Sequence, residues 1–391
     1  MFARRTDWKL TENRIAAVLQ AARASGAELI DLTVSNPTHC NFILDSAGIL
    51  LALSRAESLN YDPDPQGLHS ARELVTAYYS GLKVRSTVME VLPEQIFLTT
   101  STSEGYSYLF RLLCNPGDEV LVPRPSYPLF EFLADIQDVQ LRSYELFYDH
   151  GWHMDFGGLQ KSVSDRARAV LVVNPNNPTG SFVHCNELEK LAAFCRERGL
   201  ALISDEVFLD YEVECKAEVS LASSCDCLSF ALSGLSKISC LPQMKLAWIV
   251  VNGPSELRDQ AHARLQVIAD TYLSVNAPIQ HALGELLKQR DRLQPQLTRR
   301  VRANLKFLDE QLRSAQSIQR LRVEGGWYAV LRIPVKKPDE DLVIELIEKA
   351  SVIVHPGHFY DFPTDGYLVV SLITPEDKFQ KGIVTALKIA V

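Results

Sequence analysis

Lys237 lies between two strand-like apolar runs, LSFAL at 228–232 and LAWIVV at 246–251, with the hydroxyls of Ser233 and Ser236 beside it. A lysine sheltered in this way, near another cation, loses its proton readily, and the free amine can attack an aldehyde to form a Schiff base. Two upstream segments place further polar groups directly after apolar runs. One is N-P-N-N-P-T-G at 174–180, directly after the run AVLVV; the other is S-D-E-V at 204–207, directly after LALIS. Both stand at the ends of expected parallel strands, where open α/β sheets bind ligands. Asp205 ends an apolar run, so its carboxylate is costly to bury without a cation. A protonated pyridine nitrogen would be such a partner; the ordinary alternative is a helix N-cap.

These segments, in this order, resemble those of the class I/II aminotransferases, fold-type I enzymes, and the resemblance extends from near Asp31 to the C-terminus. It implies pyridoxal 5'-phosphate as cofactor, with a Schiff base at Lys237, Asp205 on the pyridine nitrogen and Asn177 on the phenolic oxygen. Tyr127, in P-R-P-S-Y-P, matches an aromatic that stacks on the ring. Tyr61, in Y-D-P-D-P-Q-G, resembles the tyrosine that reaches the phosphate of the neighbouring subunit. Ser101, Thr102 and Ser103 fall at the expected start of a helix, where free amides, the helix dipole and three hydroxyls suit a phosphate. A plain N-cap is the alternative there. Ser233 and Ser236 are further donors. The implied reaction moves an amino group between a small-molecule amino donor and a keto acceptor, in a homodimer with shared active sites. The same Schiff base also serves lyases, decarboxylases and carbon–carbon bond-forming enzymes. A regulator built on this fold would carry a DNA-binding domain before it, and the N-terminal arm is too short for one.

Three positions depart from the pattern. Lys245 stands where relatives usually have an arginine on the phosphate, supplying charge without the bidentate fork; it is also a candidate for the cation that keeps Lys237 reactive. Phe208 replaces a tyrosine that bonds the phenolic oxygen. In G-Y-L-V-V-S at 366–371, Val369 replaces the arginine that clamps the substrate carboxylate. By the same analogy Asn36, Tyr328, His355 and His358 are pocket residues, although a structural role is the commoner fate of a buried histidine.

The elements that must position these groups are legible as alternation. Strand-like runs at 96–100, 119–123, 139–144, 169–173, 200–204, 228–232 and 246–251 alternate with helical stretches such as 102–114 and 187–197. That pattern predicts an α/β fold with a large domain whose mostly parallel sheet is sandwiched by helices. Long helices follow Pro254 to about Ala315, and strands at 327–333, 352–355 and 368–373 close a smaller α+β domain. The resemblance implies a division into residues 1–45 (N-terminal arm and part of the small domain), 46–290 (large cofactor-binding domain) and 291–391 (small domain). A helix over 11–27 opens with a capped start at Thr11-Glu12-Asn13-Arg14.

The 391 residues, 47% of them hydrophobic, suffice for two cores. A net charge of -8 gives no footprint for nucleic acid. No run reaches membrane-spanning length, and no leader-like apolar segment opens the chain. Eight cysteines without a C-x-x-C pair, and nine scattered histidines, argue for reduced thiols and against a metal site. The expectation is a soluble cytoplasmic enzyme that binds neither nucleic acid nor membrane.

Overall fold

A computed structural model describes residues 1–8, 13–82, 84, 89–223 and 225–390. Its main sheet has eight strands in the order Ile96–Thr99, Ala247–Asn252, Ser229–Gly234, Ala201–Asp205, Ala167–Val173, Glu119–Arg124, Gln140–Tyr148, Trp152–Met154. Only Ala247–Asn252 and Trp152–Met154 run against the others. The strand Ala167–Val173 shows why the sheet is covered twice. Ala169, Leu171 and Val173 enter one core and Val170 and Val172 another, because successive side chains point to opposite faces. One core includes Tyr106, Leu109 and Phe110 of the helix Thr102–Leu113; the other takes Leu191 of the helix Cys185–Arg198. A run without polar alternation therefore reads as a strand buried on both sides.

The seven strands expected in this sheet all form; Trp152–Met154 is an addition. It closes a hairpin with Gln140–Tyr148, and three residues are too few to display a period.

A third core gathers Ile30 and Leu32 with the helices Arg290–Leu312 and Glu376–Ala390 and the antiparallel sheet Gln319–Arg320, Tyr328–Arg332, Tyr367–Ser371, His355–Pro356. The strand expected over 352–355 divides. Val352–Ile353 pairs in parallel with Ile30–Asp31, whereas His355–Pro356 joins the four-stranded sheet. The N-terminal helix runs Arg14–Ala24, shorter than expected at its C-terminal end, with Asn13 accepting from the Ala16 amide at 2.7 Å; Thr11 and Glu12 lie outside the described residues. Among the described residues no helix is long and apolar enough to cross a membrane.

Candidate active site

Lys237 sits in a four-residue helix, Leu235–Ile238, directly after the strand Ser229–Gly234. Gly234 makes this exit possible, since a Cβ there would lie 2.7 Å from the Ala247 Cβ and 2.8 Å from its Cα. The Lys237 carbonyl accepts from the Tyr211 hydroxyl at 2.5 Å, which fixes the backbone beneath the side chain. The amine lies 5.0 Å from the Trp327 ring centroid and 5.5 Å from that of Phe208. Burial pushes the Lys237 pKa below the ordinary lysine range, with Cys240 and Asp205 acting in the opposite direction. That corrects one expectation: burial, and not a neighbouring cation at Lys245, is what frees this amine.

Trp327 arrives from the third core along a defined path. The Gly325 amide donates to the Gly180 carbonyl at 2.8 Å, and the Gly326 amide to the Tyr211 carbonyl at 2.8 Å. Gly180 has φ +71°, and a Cβ on it would stand 2.5 Å from the Gly325 carbonyl oxygen. Glycine is the residue that permits this close approach. The N-P-N-N-P-T-G loop thus carries Asn177 and docks the strand that brings Trp327 over the lysine.

Asp205 closes its strand at 7% exposure, accepting from the Tyr106 hydroxyl at 2.8 Å and the Val207 amide at 3.1 Å. No helix follows, so the N-cap alternative is not realised. Burial raises its pKa, while Tyr106, Val207 and the Lys237 charge pull it back. Among the described residues Asp205 and Lys237 make no ion pair, although each feels the other's charge. Asp205 is buried and Lys237 half-buried, and the carboxylate and the amine sit without pairing to each other. Asn177 adds a buried amide oxygen with no partner. Tyr127, exposed at 36%, stands edge-on to Phe130 at 5.7 Å; burial and then the Asp205 charge push its hydroxyl up to about 12.

Ser101 caps the helix Thr102–Leu113, its hydroxyl accepting from the Glu104 amide at 3.2 Å; Thr102 is half-buried and Ser103 exposed in the first turn. Ser236 is half-buried, whereas Ser233 is buried and donates to the Glu206 carbonyl at 3.4 Å. Lys245 is exposed, with φ +52°. Tyr61 is 78% exposed and lies in a cleft with Asn276, Gln280 and His281, apart from the Lys237 cluster. Asn36 caps the turn Pro37–His39, its side-chain oxygen accepting from the Thr38 amide at 3.0 Å. Tyr328 is buried at 6% exposure, His355 stacks on Phe359 at 4.7 Å, and His358 is exposed.

Sequence reasoning missed Trp327, Tyr106 and Tyr211. Tyr106 had a readable signal, lying one helical turn beyond Thr102 on the helix that opens with Ser101. The other two are brought in by packing alone.

A family model for aminotransferase class I and II matches residues 27–378. The chain belongs to that family. The alanine aminotransferase of Mycobacterium tuberculosis (strain ATCC 25618 / H37Rv) is 26% identical over 377 residues, covering 88% of this chain and 81% of its own. The glutamate-pyruvate aminotransferase AlaA of Escherichia coli (strain K12) is 24% identical over 362 residues, covering 90% and 88%. Among solved structures, an alanine aminotransferase from Pyrococcus furiosus shares the fold with a TM-score of 0.87 over 99% of both chains, at 22% identity. This aminotransferase is therefore a pyridoxal-phosphate-dependent enzyme of amino-group transfer, with the fold-type I architecture.

Beside its site, Glu206 is 1% exposed and accepts from Ser204 at 2.9 Å, Ser220 at 2.5 Å and the Leu221 amide at 2.8 Å. Burial nonetheless pushes its pKa up to about 7. A raised carboxyl pKa contributes stability that is full below the unfolded value of about 4.3 and lost as pH rises through the folded value. Glu206→Gln, which keeps the shape and lets the Ser220 hydroxyl turn from donor to acceptor, is expected to remove that slope. Urea unfolding of the apoprotein at pH 5 and pH 8 measures it, with a difference on the order of 2–4 kcal/mol in wild type and little in the variant. An equal slope in both proteins would count against the assignment.

Proposed function

We propose that Lys237 is the residue that carries the aldehyde of pyridoxal phosphate and moves the substrate proton. The observation behind this reading is a half-buried Lys237 amine whose proton is held weakly, near a buried Asp205 carboxylate with which it makes no ion pair. When bound, the cofactor supplies an aldehyde and a protonated ring that accepts the electrons released at the substrate carbon. The chain's own residues do the rest. Asp205 sets a negative charge where the ring nitrogen needs to stay protonated, and the Tyr106 hydroxyl steadies that carboxylate. Asn177 would serve the phenolic oxygen, and Tyr127 would stack on the ring. Ser101, Thr102, Ser103, Ser233, Ser236 and Lys245 would hold the phosphate, with Ser233 already bonded to the Glu206 carbonyl. Phe208 and Trp327 keep water from the Lys237 amine, so that it stays neutral and able to take and return the proton.

Tyr61 completes the phosphate site from a second subunit. Ile43, Leu50, Leu51 and Leu59 stand exposed in neighbouring sequence, an apolar surface suited to a homodimer. The pairing of Ile30–Asp31 with Val352–Ile353 and the break before the helix Arg290–Leu312 support the division into 1–45, 46–290 and 291–391. Eight cysteines in the thiol form accord with a cytoplasmic enzyme. Asn36, Tyr328, His355 and His358 remain the candidates for the substrate side of the pocket.

A single-turnover experiment tests the reading: an amino donor without acceptor is expected to leave the bound cofactor in its pyridoxamine form. Return of the pyridoxal form, with product released, would mean lyase chemistry instead. Asn177→Ala is expected to weaken cofactor binding about tenfold, the value of one hydrogen bond of roughly 1–1.5 kcal/mol. Absorbance titration of the apoprotein measures this, and an unchanged dissociation constant would remove Asn177 from the site.

A further inference from the structure

Trp327 directly precedes the strand Tyr328–Arg332 of the four-stranded sheet, and the Leu372 amide donates to its carbonyl at 2.7 Å. The Lys237 amine, 5.0 Å from its ring, belongs to the turn after a strand of the main sheet. The ring's place over the amine therefore depends on what ties the two sheets together here. Upstream of Trp327 stand Gly325 and Gly326, the residue type with the widest choice of backbone conformations. The residue before this pair is Glu324, and it is 3% exposed.

Glu324 is held at both ends. Its carbonyl accepts from the Val213 amide at 2.9 Å, close to Tyr211, which receives the Gly326 amide and donates its hydroxyl to the Lys237 carbonyl. Its carboxylate accepts from the Phe182 amide at 3.0 Å, and Nε2 of His184 stands 3.6 Å from the same oxygen. The other oxygen lies 3.7 Å from Nε of Arg322. The Phe182 ring in turn packs against Gly325, where a Cβ would come within 2.7 Å of it.

A carboxylate buried this deeply is costly unless donors and cations meet it. Burial pushes the Glu324 pKa up, but His184, the Phe182 amide and Arg322 outweigh it and hold the group below the ordinary glutamate range. Glu324 raises the His184 pKa against the effect of burial, with Glu187 and Glu218 adding to it. The two side chains thus form an ion pair across the junction of the two sheets, at the residue that leads into Trp327.

We propose that Glu324, with His184 as its partner, is a positioning residue: its clasp on the 182–184 segment sets the Trp327 ring over the Lys237 amine and so keeps water from that amine. This deepens the reading of Lys237 as the cofactor lysine and rests on it. An aromatic face attracts a cation, but at this site burial is the larger effect, and it favours the neutral amine. Displacing the ring lets water return, and the amine then holds its proton more tightly.

The test uses the full-length chain freed of cofactor, so that the Lys237 amine is open. Trace labelling with acetic anhydride from about pH 6 to about pH 11, read by mass spectrometry of the peptide containing residue 237, titrates that amine by itself. Glu324→Ala is expected to move the midpoint up by about one pH unit, towards that of an ordinary lysine. Trp327→Leu, which keeps an apolar side chain but not the ring, is expected to move it in the same direction. In the Trp327→Leu background, Glu324→Ala is expected to add less than about a third of the shift it produces alone, because its effect runs through the ring. A folded Glu324→Ala protein with the wild-type midpoint overturns the proposal. So does a fully additive shift in the Trp327→Leu background. If circular dichroism shows that Glu324→Ala does not fold, His184→Ala, at the half-buried end of the pair, takes its place in the same comparison, with the same two overturning results. Borohydride reduction of the wild-type holoenzyme tests the underlying reading separately. A peptide containing residue 237 that gains no pyridoxyl group removes the cofactor from Lys237, whereas the labelling midpoints still decide the clasp.

Discussion

Lys237→Ala is expected to bind pyridoxal phosphate reversibly but to gain no covalent label on borohydride reduction, whereas wild type gains one pyridoxyl group on the peptide containing residue 237. Turnover is expected to fall at least 10²–10⁴-fold, roughly the contribution of one positioned proton-transfer group, with the lost tether adding to it. The expectation follows from where the amine is held. Asp205 lies beyond ion-pair reach, and the Trp327 and Phe208 rings shield the amine at 5.0 and 5.5 Å. Burial outweighs both opposing influences and leaves the amine poorer in protons than a surface lysine. Mass spectrometry of the reduced protein decides the tether, and single-turnover absorbance decides the proton transfer. Labelling that persists in the variant would move the Schiff base to another lysine.

Asp205→Asn carries the second large effect, with opposite signs for chemistry and for stability. Removing the charge that keeps the ring nitrogen protonated is expected to lower turnover by about 10²-fold or more, since the electron sink then loses its positive end. The apoprotein is expected to gain stability. Burial raises the Asp205 pKa, so its contribution is full below the unfolded value of about 3.9 and is lost as pH rises through the folded value. Asparagine removes the cost of burying this charge, and the amide oxygen can still accept from Tyr106 or Val207. A gain of roughly 0.5–2 kcal/mol at pH 7, shrinking toward pH 4, is the expected scale. Thermal unfolding of the two apoproteins across that range measures it. A less stable variant at every pH would show that the hydrogen bonds to Tyr106 and Val207 outweigh the burial of the charge.

Local strings made much of the site readable. Lys237, Asp205 and Asn177 follow apolar runs long enough to be strands, and a strand's C-terminal end is a site position in any open α/β sheet. Helix ends were also close, because Ser101 and Asn13 are capping residues whose side chains satisfy free amides. Short or divided elements were not readable. Trp152–Met154 has too few residues to show a period, and the run at 352–355 looks continuous although Val354 separates two strands in different sheets. Lys245 illustrates a different limit. Its charge and spacing suggested influence on Lys237, but influence depends on distance and burial, which a sequence does not carry.

The sequence by itself determined the layered α/β fold, the family and the three groups proposed to hold the cofactor, because each rests on residue type within a short stretch. Tertiary structure alone decided what surrounds them. Tyr106 reaches Asp205 across 99 positions, and the contact of Gly180 with Gly325 lays Trp327 over the lysine. It also decided the surroundings of Val369, where the sequence shows only a missing arginine. Neutral side chains from three strands meet there, and their low polarity arises from packing between segments that no local pattern links.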